Sequence, residues 1–159
     1  PILLDTLLQV CYNGDMTLQN YQAAWASDAP IQPDNIDEDA RNVPVLHARW
    51  WQFYTDERLR FRKLDLEYKI LYRQRFEYWN GRLDDTERIA MNWPPQPLKI
   101  LTPQVPMYLD ADPVLQELTR KRIVVEETLK FLEDVIKSIN GRGFLLNTTL
   151  NYLKFQMGV

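Results

Sequence analysis

The sequence predicts a mainly α-helical protein, with a long N-terminal helix and a C-terminal helical hairpin joined by a proline-rich connector. Three observations carry that prediction. Glycine is scarce, with 5 in 159 residues, a composition that favours helices over a turn-rich β architecture. Residues 45–80 contain neither glycine nor proline. Apolar residues from Leu118 onward recur at spacings of three, four and seven, the repeat of helix packed on helix.

Along the chain, residues 1–15 hold an apolar stretch with no basic region before it, unlike a secretory leader. Residues 17–43 are acidic and carry Pro30 and Pro33; a short helix over 18–26 followed by an irregular arm fits them. Pro44 suits the first turn of a helix, where its missing N–H costs nothing. The spacing then predicts one helix to Asn80, about 35 residues and far above the usual length. Asn80-Gly81 closes it as a C-cap.

Residues 83–111 form the connector. Trp93-Pro94-Pro95-Gln96-Pro97, with Pro103 and Pro106, excludes a helix there, and 98–101 and 105–109 read as short extended pieces. Asp112-Pro113 is a start signal, an N-cap followed by proline at the first helical position. The second helix runs to about Asn140, with Leu118, Val125, Leu129, Leu132, Ile136 and Ile139 on one seam and Arg122 in the vacant slot. Asn140-Gly141-Arg142-Gly143 is expected to break it. A third helix then carries Leu146, Leu150, Leu153 and Met157. Leu118 to Leu153 on this seam are the expected assembly surface, and Arg122 is expected to face an acid or fix register.

Several function classes are excluded. Cys11 is the single cysteine and His47 the single histidine, so neither a disulfide framework nor a Cys/His zinc site is possible. No apolar run reaches the roughly 18 residues of a membrane span. No phosphate-binding glycine loop, GxSxG or HExxH is present, so no catalysis, cofactor or metal is expected. His47 has no nucleophile or carboxylate at a recognisable spacing, and Asp84, Asp85 and Glu87 read as a solvated loop.

Charge is the informative signal. The net charge is −3, yet it is unevenly spread. Residues 1–40 hold seven acids and no Lys or Arg, whereas 58–82 hold eight bases against three acids. Arg58, Arg62, Lys69 and Arg73 lie at offsets 0, 4, 11 and 15, so about 100° per residue puts them in one stripe. Arg75 and Arg82 extend the basic run. Phe61, Tyr68, Tyr72, Phe76, Tyr78 and Trp79 are interleaved with it. Cations along a groove, with rings on which bases stack, suit sequence-independent binding of single-stranded DNA. The alternative is a solvated face with the rings packed inside, since Phe61, Leu64, Tyr68 and Leu71 have core spacing. Trp50, Trp51, Phe53 and Tyr54 cannot all face one core, and a subunit interface is the expected use. Gly141-Arg142-Gly143-Phe144 looks like an RGG fragment, but a turn between helices explains its glycines. The acidic segment 28–39 can guard the basic face or meet a basic partner.

These residues also resemble the UvsY family of recombination, repair and single-stranded-DNA-binding mediators of tailed phages. The likeness rests on an ordered set: Trp50 early in the long helix, the run Arg73-Gln74-Arg75-Phe76-Glu77-Tyr78-Trp79-Asn80-Gly81-Arg82, the segment Leu109-Asp110-Ala111-Asp112, and Ile136-Lys137-Ser138 with Arg142-Gly143-Phe144. It covers Met16 to the C-terminus. Family members start where Met16 stands, which implies that 1–15 lie outside the functional protein and that 16–159 form one domain, with arm and basic helix at 16–82, connector at 83–111 and oligomerisation helices at 112–159. The resemblance implies a ring-shaped homo-oligomer, hexameric or heptameric, acting in the host cytoplasm during infection. It implies three partners: single-stranded DNA, a phage RecA-like recombinase and the phage single-strand-binding protein. It places DNA contacts at Arg73 and Arg75; the family carries Lys at the first, and arginine keeps the charge while adding a planar group. The connector here is longer and richer in proline than the family's. A helical scaffold with no DNA role, such as a virion or assembly component, is the alternative.

Overall fold

A computed structural model describes residues 16–96 and 100–158. Helix α1 spans Leu18–Asp28, with Thr17 as N-cap, its side chain accepting from Asn20 N. A 3-10 turn at Pro33–Asn35 leads into α2, Ile36–Trp79. Helix α3 is the six-residue Asp85–Ala90, a 3-10 turn at Thr102–Gln104 precedes α4, Val105–Asp110, and α5 runs over Pro113–Met157. Residues 1–15 and 97–99, including part of the expected extended piece 98–101, lie outside the described residues.

Two caps follow the sequence expectation. Gly81 has φ +66, and Arg82 N and Leu83 N both donate back to Glu77 O at 2.9 and 3.2 Å, a left-handed stop that glycine adopts without strain. At α5, Asp112 Oδ1 accepts from Val114 N (2.9 Å) and Leu115 N (3.4 Å).

Four expectations are corrected. Pro44 is not in the first turn: α2 begins at Ile36 and runs through it. Asp37, Glu38 and Asp39 in that first turn complement the positive end of the helix dipole. Asp39 also accepts from Gln32 N at 2.7 Å, and Arg41 pairs with Asp37 at 2.8 Å. These contacts hold the two turns before the proline, so the arm is helical from Ile36. Second, 105–109 are helical, not extended, because Pro106 sits in the first turn of α4, the place that tolerates it. Third, Asn140-Gly141-Arg142-Gly143 makes no turn. Ile139 before the glycines, Arg142 between them and Leu146 after them are all buried, and that packing outweighs the roughly 1 kcal/mol that each interior glycine costs a helix. Fourth, the C-terminal hairpin is therefore a single helix of 45 residues.

The chain falls into two compact units, Thr55–Leu129 and the residues on either side of that span, and α2 and α5 contribute to both. In the unit made of 16–54 and 130–158 the core is Tyr21, Trp50, Leu132, Val135, Ile136 and Ile139, with Trp25 and Phe53 packed against it. Trp50 is fully buried and meets Trp25 and Phe53 edge-on at 5.5 Å each. Its indole N–H reaches Asp28 Oδ2 at 3.0 Å, so a large apolar ring is buried without an orphaned donor. In Thr55–Leu129 the core is Val105, Leu109 and Leu115, against Tyr68, Leu71, Phe76, Trp79 and Ile100.

Candidate nucleic-acid interface

The basic stripe of α2 lies in Thr55–Leu129. Helical phase puts Arg58, Arg62, Lys69 and Arg73 on one face, and all four are exposed. Among the described residues, Arg58 and Arg62 have no carboxylate within ion-pair distance, and neither does exposed Arg82 just beyond the helix. Lys69 pairs with Asp65 at 2.9 Å, and Lys63 lies 4.0 Å from Glu67. Arg73 is held by two carboxylates: Nη1 donates to Glu77 at 2.8 Å and Nη2 to Glu87 of α3 at 3.3 Å, with its side chain still 55% exposed. The stripe is a surface with its cations partly matched, strongest at Arg58 and Arg62. Beside them Leu59, Leu66 and Ile70 are exposed.

Arg75 requires a correction. It does not present its charge to solvent: the residue is 5% exposed. Its Nε donates to Asp112 Oδ2 at 2.6 Å, and its guanidinium carbon stands 4.4 Å from the ring centroids of both Tyr78 and Trp93. Two residues along a helix turn the side chain through about 200°, so Arg73 and Arg75 cannot share a face.

The rings divide in the same way. Tyr78 is buried, and Phe61, Tyr68, Phe76 and Trp79 are half-buried, so they serve the protein's own packing. Tyr72, at 41% exposure, is the expected stacking ring that reaches the surface. Arg122 meets an acid as expected. It donates to Asp65 at 2.7 Å and lies 4.6 Å over the ring of Tyr68. Asp65 thus serves Lys69 and Arg122 together, and the hydrogen bond from Lys69, with the charges of both, lowers its pKa against the opposing effect of burial.

The expected assembly seam is largely covered within the chain. Val125, Leu132, Ile136, Ile139 and Leu146 are buried, and Leu118, Leu129 and Leu153 are half-buried; the three-four spacing marked the intrachain core. Trp50 likewise belongs to a core and not to a surface. Of the seam, Leu150 stays exposed at 39%; apolar residues exposed off the seam on α5 include Phe144 at 77% and Phe155 at 80%, with Ile123, Val124, Leu145, Tyr152 and Met157. Arg142 is buried and donates to Ala29 O and Pro30 O at 2.8 and 2.9 Å, satisfying carbonyls where α1 ends. Most of the acidic segment is engaged locally: Asp28 pairs with Arg49 at 3.1 Å, and Asp39 lies 3.7 Å from Arg142. His47 stacks on Trp51 at 6.0 Å.

Sequence reasoning missed Asp112 as a charge partner, Trp93 as a cover for Arg75 and Glu87 as a counter-ion. The signal at Asp112 was absorbed by its evident capping role. For Glu87 and Trp93 only the fold brings distant chain together. Among the described residues, no helix is long and apolar enough to cross a membrane.

A family model described as "Recombination, repair and ssDNA binding protein UvsY" matches residues 24–159. No curated protein matches the chain by sequence. Among solved structures, the crystal structure of the Bacteriophage T4 recombination mediator protein UvsY in lattice type II is similar with a TM-score of 0.78 at 17% identity, over 90% of this chain and 99% of that one. The type IV lattice gives 0.78 at 18%, over 88% and 99%, and type I gives 0.74 at 17%, over 85% and 97%. At such identities the likeness speaks for the helical fold alone, whereas the family match extends through α2, the connector and α5. The chain belongs to the UvsY family of recombination, repair and single-stranded-DNA-binding proteins.

Proposed function

We propose that this protein binds single-stranded DNA without sequence preference and acts as a recombination mediator. It promotes loading of a RecA-like recombinase onto DNA covered by single-strand-binding protein. The DNA contacts are Arg58, Arg62, Lys69, Arg73 and Arg82, with Tyr72 as a ring on which a base stacks. The observation that carries this reading is the pair Arg58 and Arg62, one turn apart on α2, exposed and without a carboxylate partner among the described residues.

One chain offers few unmatched cations, so one chain alone binds weakly. Repetition in a homo-oligomer, hexameric or heptameric, multiplies the contacts and supplies avidity. The exposed α5 residues Phe144, Leu145, Tyr152 and Phe155 support such assembly. They fall within about 100° of one another around the helix, and exposed large apolar side chains gathered on one helix face mark an association surface. The same face would equally serve a helical scaffold with no DNA role, which predicts no binding to oligo(dT) at any salt concentration.

The test is Arg58→Ala with Arg62→Ala in one chain, titrated against labelled oligo(dT) by fluorescence anisotropy. Affinity is expected to fall at least about ten-fold, since a hydrogen bond to a charged group contributes about 1.5 kcal/mol or more. The assembled mass by light scattering stays the same. Unchanged affinity at moderate salt would overturn the reading.

A further inference from the structure

Within the basic run, Arg75 and Asp112 form a pair that the nucleic-acid reading leaves without a role. Arg75, at 5% exposure, offers little surface to a phosphate. Nε is taken by Asp112, the rings of Tyr78 and Trp93 stand 4.4 Å from the guanidinium carbon, and that of Trp79 stands 5.6 Å away. Asp112 is 1% exposed and ties α2 to the start of α5. Oδ2 accepts from Arg75 and, at 2.7 Å, from Trp79 Nε1 near the end of α2, while Oδ1 accepts the first amides of α5.

The contacts continue from there to the stripe. Tyr78 Oη donates to Pro94 O at 3.1 Å and Trp93 N donates to Arg88 O at 3.1 Å, so the connector is tied down on both sides of the ring that covers Arg75. Arg88 of α3 donates to Trp93 O at 3.1 Å. Its neighbour Glu87 accepts from Gln74 Nε2 at 2.7 Å and from Arg73 Nη2 at 3.3 Å. Arg75 is thus linked to Arg73 through Trp93, Arg88 and Glu87.

We infer that Arg75 is a positioning residue for single-strand binding. With Asp112 it fixes the Trp93 segment, which seats α3 so that Glu87 orients and restrains the Arg73 guanidinium, while Arg75 itself touches no phosphate. This rests on the nucleic-acid reading above and deepens it, by separating the cations that meet DNA from one that arranges them. It also gives the acids of the connector a use: Glu87 sets how much of Arg73's charge a phosphate meets.

The experiment is arginine modification by phenylglyoxal on the full, assembled protein, with and without oligo(dT), mapped by mass spectrometry. Arg58, Arg62 and Arg82 are expected to react and to be protected by DNA, with Arg75 unreactive in both states. A second arm uses the paired change Arg75→Met with Asp112→Asn, which removes both charges together and leaves a side chain able to cap α5. There Arg73 is expected to become more reactive, and the salt dependence of DNA binding to become no shallower. Arg75 reacting in the unaltered protein and gaining protection from DNA would overturn the inference while leaving DNA binding intact. So would unchanged Arg73 reactivity in the paired variant, or a salt slope shallower by about 0.7, the loss of one phosphate contact. Absence of protection at Arg58 and Arg62 as well would overturn the nucleic-acid reading and this inference with it. Should the paired variant fail to fold, the map of the unaltered protein still decides whether Arg75 meets DNA.

Discussion

Arg73 and Arg75 lie in one basic run and end in opposite environments, one on the surface and one against a core. The stripe set by helical phase already contained Arg58, Arg62, Lys69 and Arg73 and left Arg75 out; the run of like charge and the family likeness placed Arg75 at the DNA. Phase was the better guide, because a helix fixes side-chain direction more tightly than a run of like charge does. What phase cannot supply is the partner, and Asp112 comes from 37 residues away. Breaking this buried pair on one side leaves an uncompensated charge. Asp112→Ala alone is therefore expected to lower stability by about 3–5 kcal/mol, read by urea denaturation; a loss of under about 1 kcal/mol would mean that Arg75 finds water instead. Glu87→Gln acts in the other direction on function. It removes a charge competing for Arg73 and should tighten oligo(dT) binding by a few-fold, the scale of a partly exposed ion pair at about 0.2–1 kcal/mol. Weaker binding would show that Glu87 aids Arg73 instead of competing with phosphate.

The elements were legible where a local signal has one meaning. Asp112-Pro113 starts α5 and Asn80-Gly81 stops α2, because capping satisfies helix-end groups that nothing else nearby can. Pro44 and the glycines at 141 and 143 misled, because a breaker only lowers helix propensity: contacts of the turns before Pro44, and buried residues around the glycines, outweigh it. Gly143 tests that account. It is exposed inside α5, and nothing lies within 4 Å of an added Cβ. Gly143→Ala should stabilise the protein by about 1 kcal/mol in thermal or chemical melts; destabilisation would reveal a close neighbour at that position. Helix α3, which carries Glu87, depends on its N-cap. Hydrogen bonds from Thr86, side chain first and then backbone, hold the Asp84 carboxyl below its ordinary range. Its folded-state pKa is depressed, so its contribution is complete above the ordinary carboxylate value near pH 4 and is lost as pH falls through the lowered one. The Thr86 amide resonance should follow that titration below about pH 4; a midpoint at or above the ordinary value would contradict the cap.

At the scale of the whole molecule, the seam of leucines and isoleucines read as the assembly surface is mostly the chain's own core. Spacing reports that a face is apolar, not what covers it. The faces left over are the basic stripe of α2 and the exposed aromatic face of α5, and the proposed function needs both, one to meet phosphate and one to repeat it. Phe144→Asp with Phe155→Asp should lower the mass seen by light scattering and weaken DNA binding in step, since avidity is lost with assembly; an unchanged mass would move the assembly surface elsewhere. The central claim is that exposed cations of α2 meet a polyanion. Its most direct measurement is the slope of log affinity for oligo(dT) against log salt, for the protein and for the Arg58→Ala, Arg62→Ala chain. The account predicts a steep negative slope that becomes shallower by about 0.7 for each phosphate contact removed. A flat slope, or one that is identical in the two proteins, would contradict it.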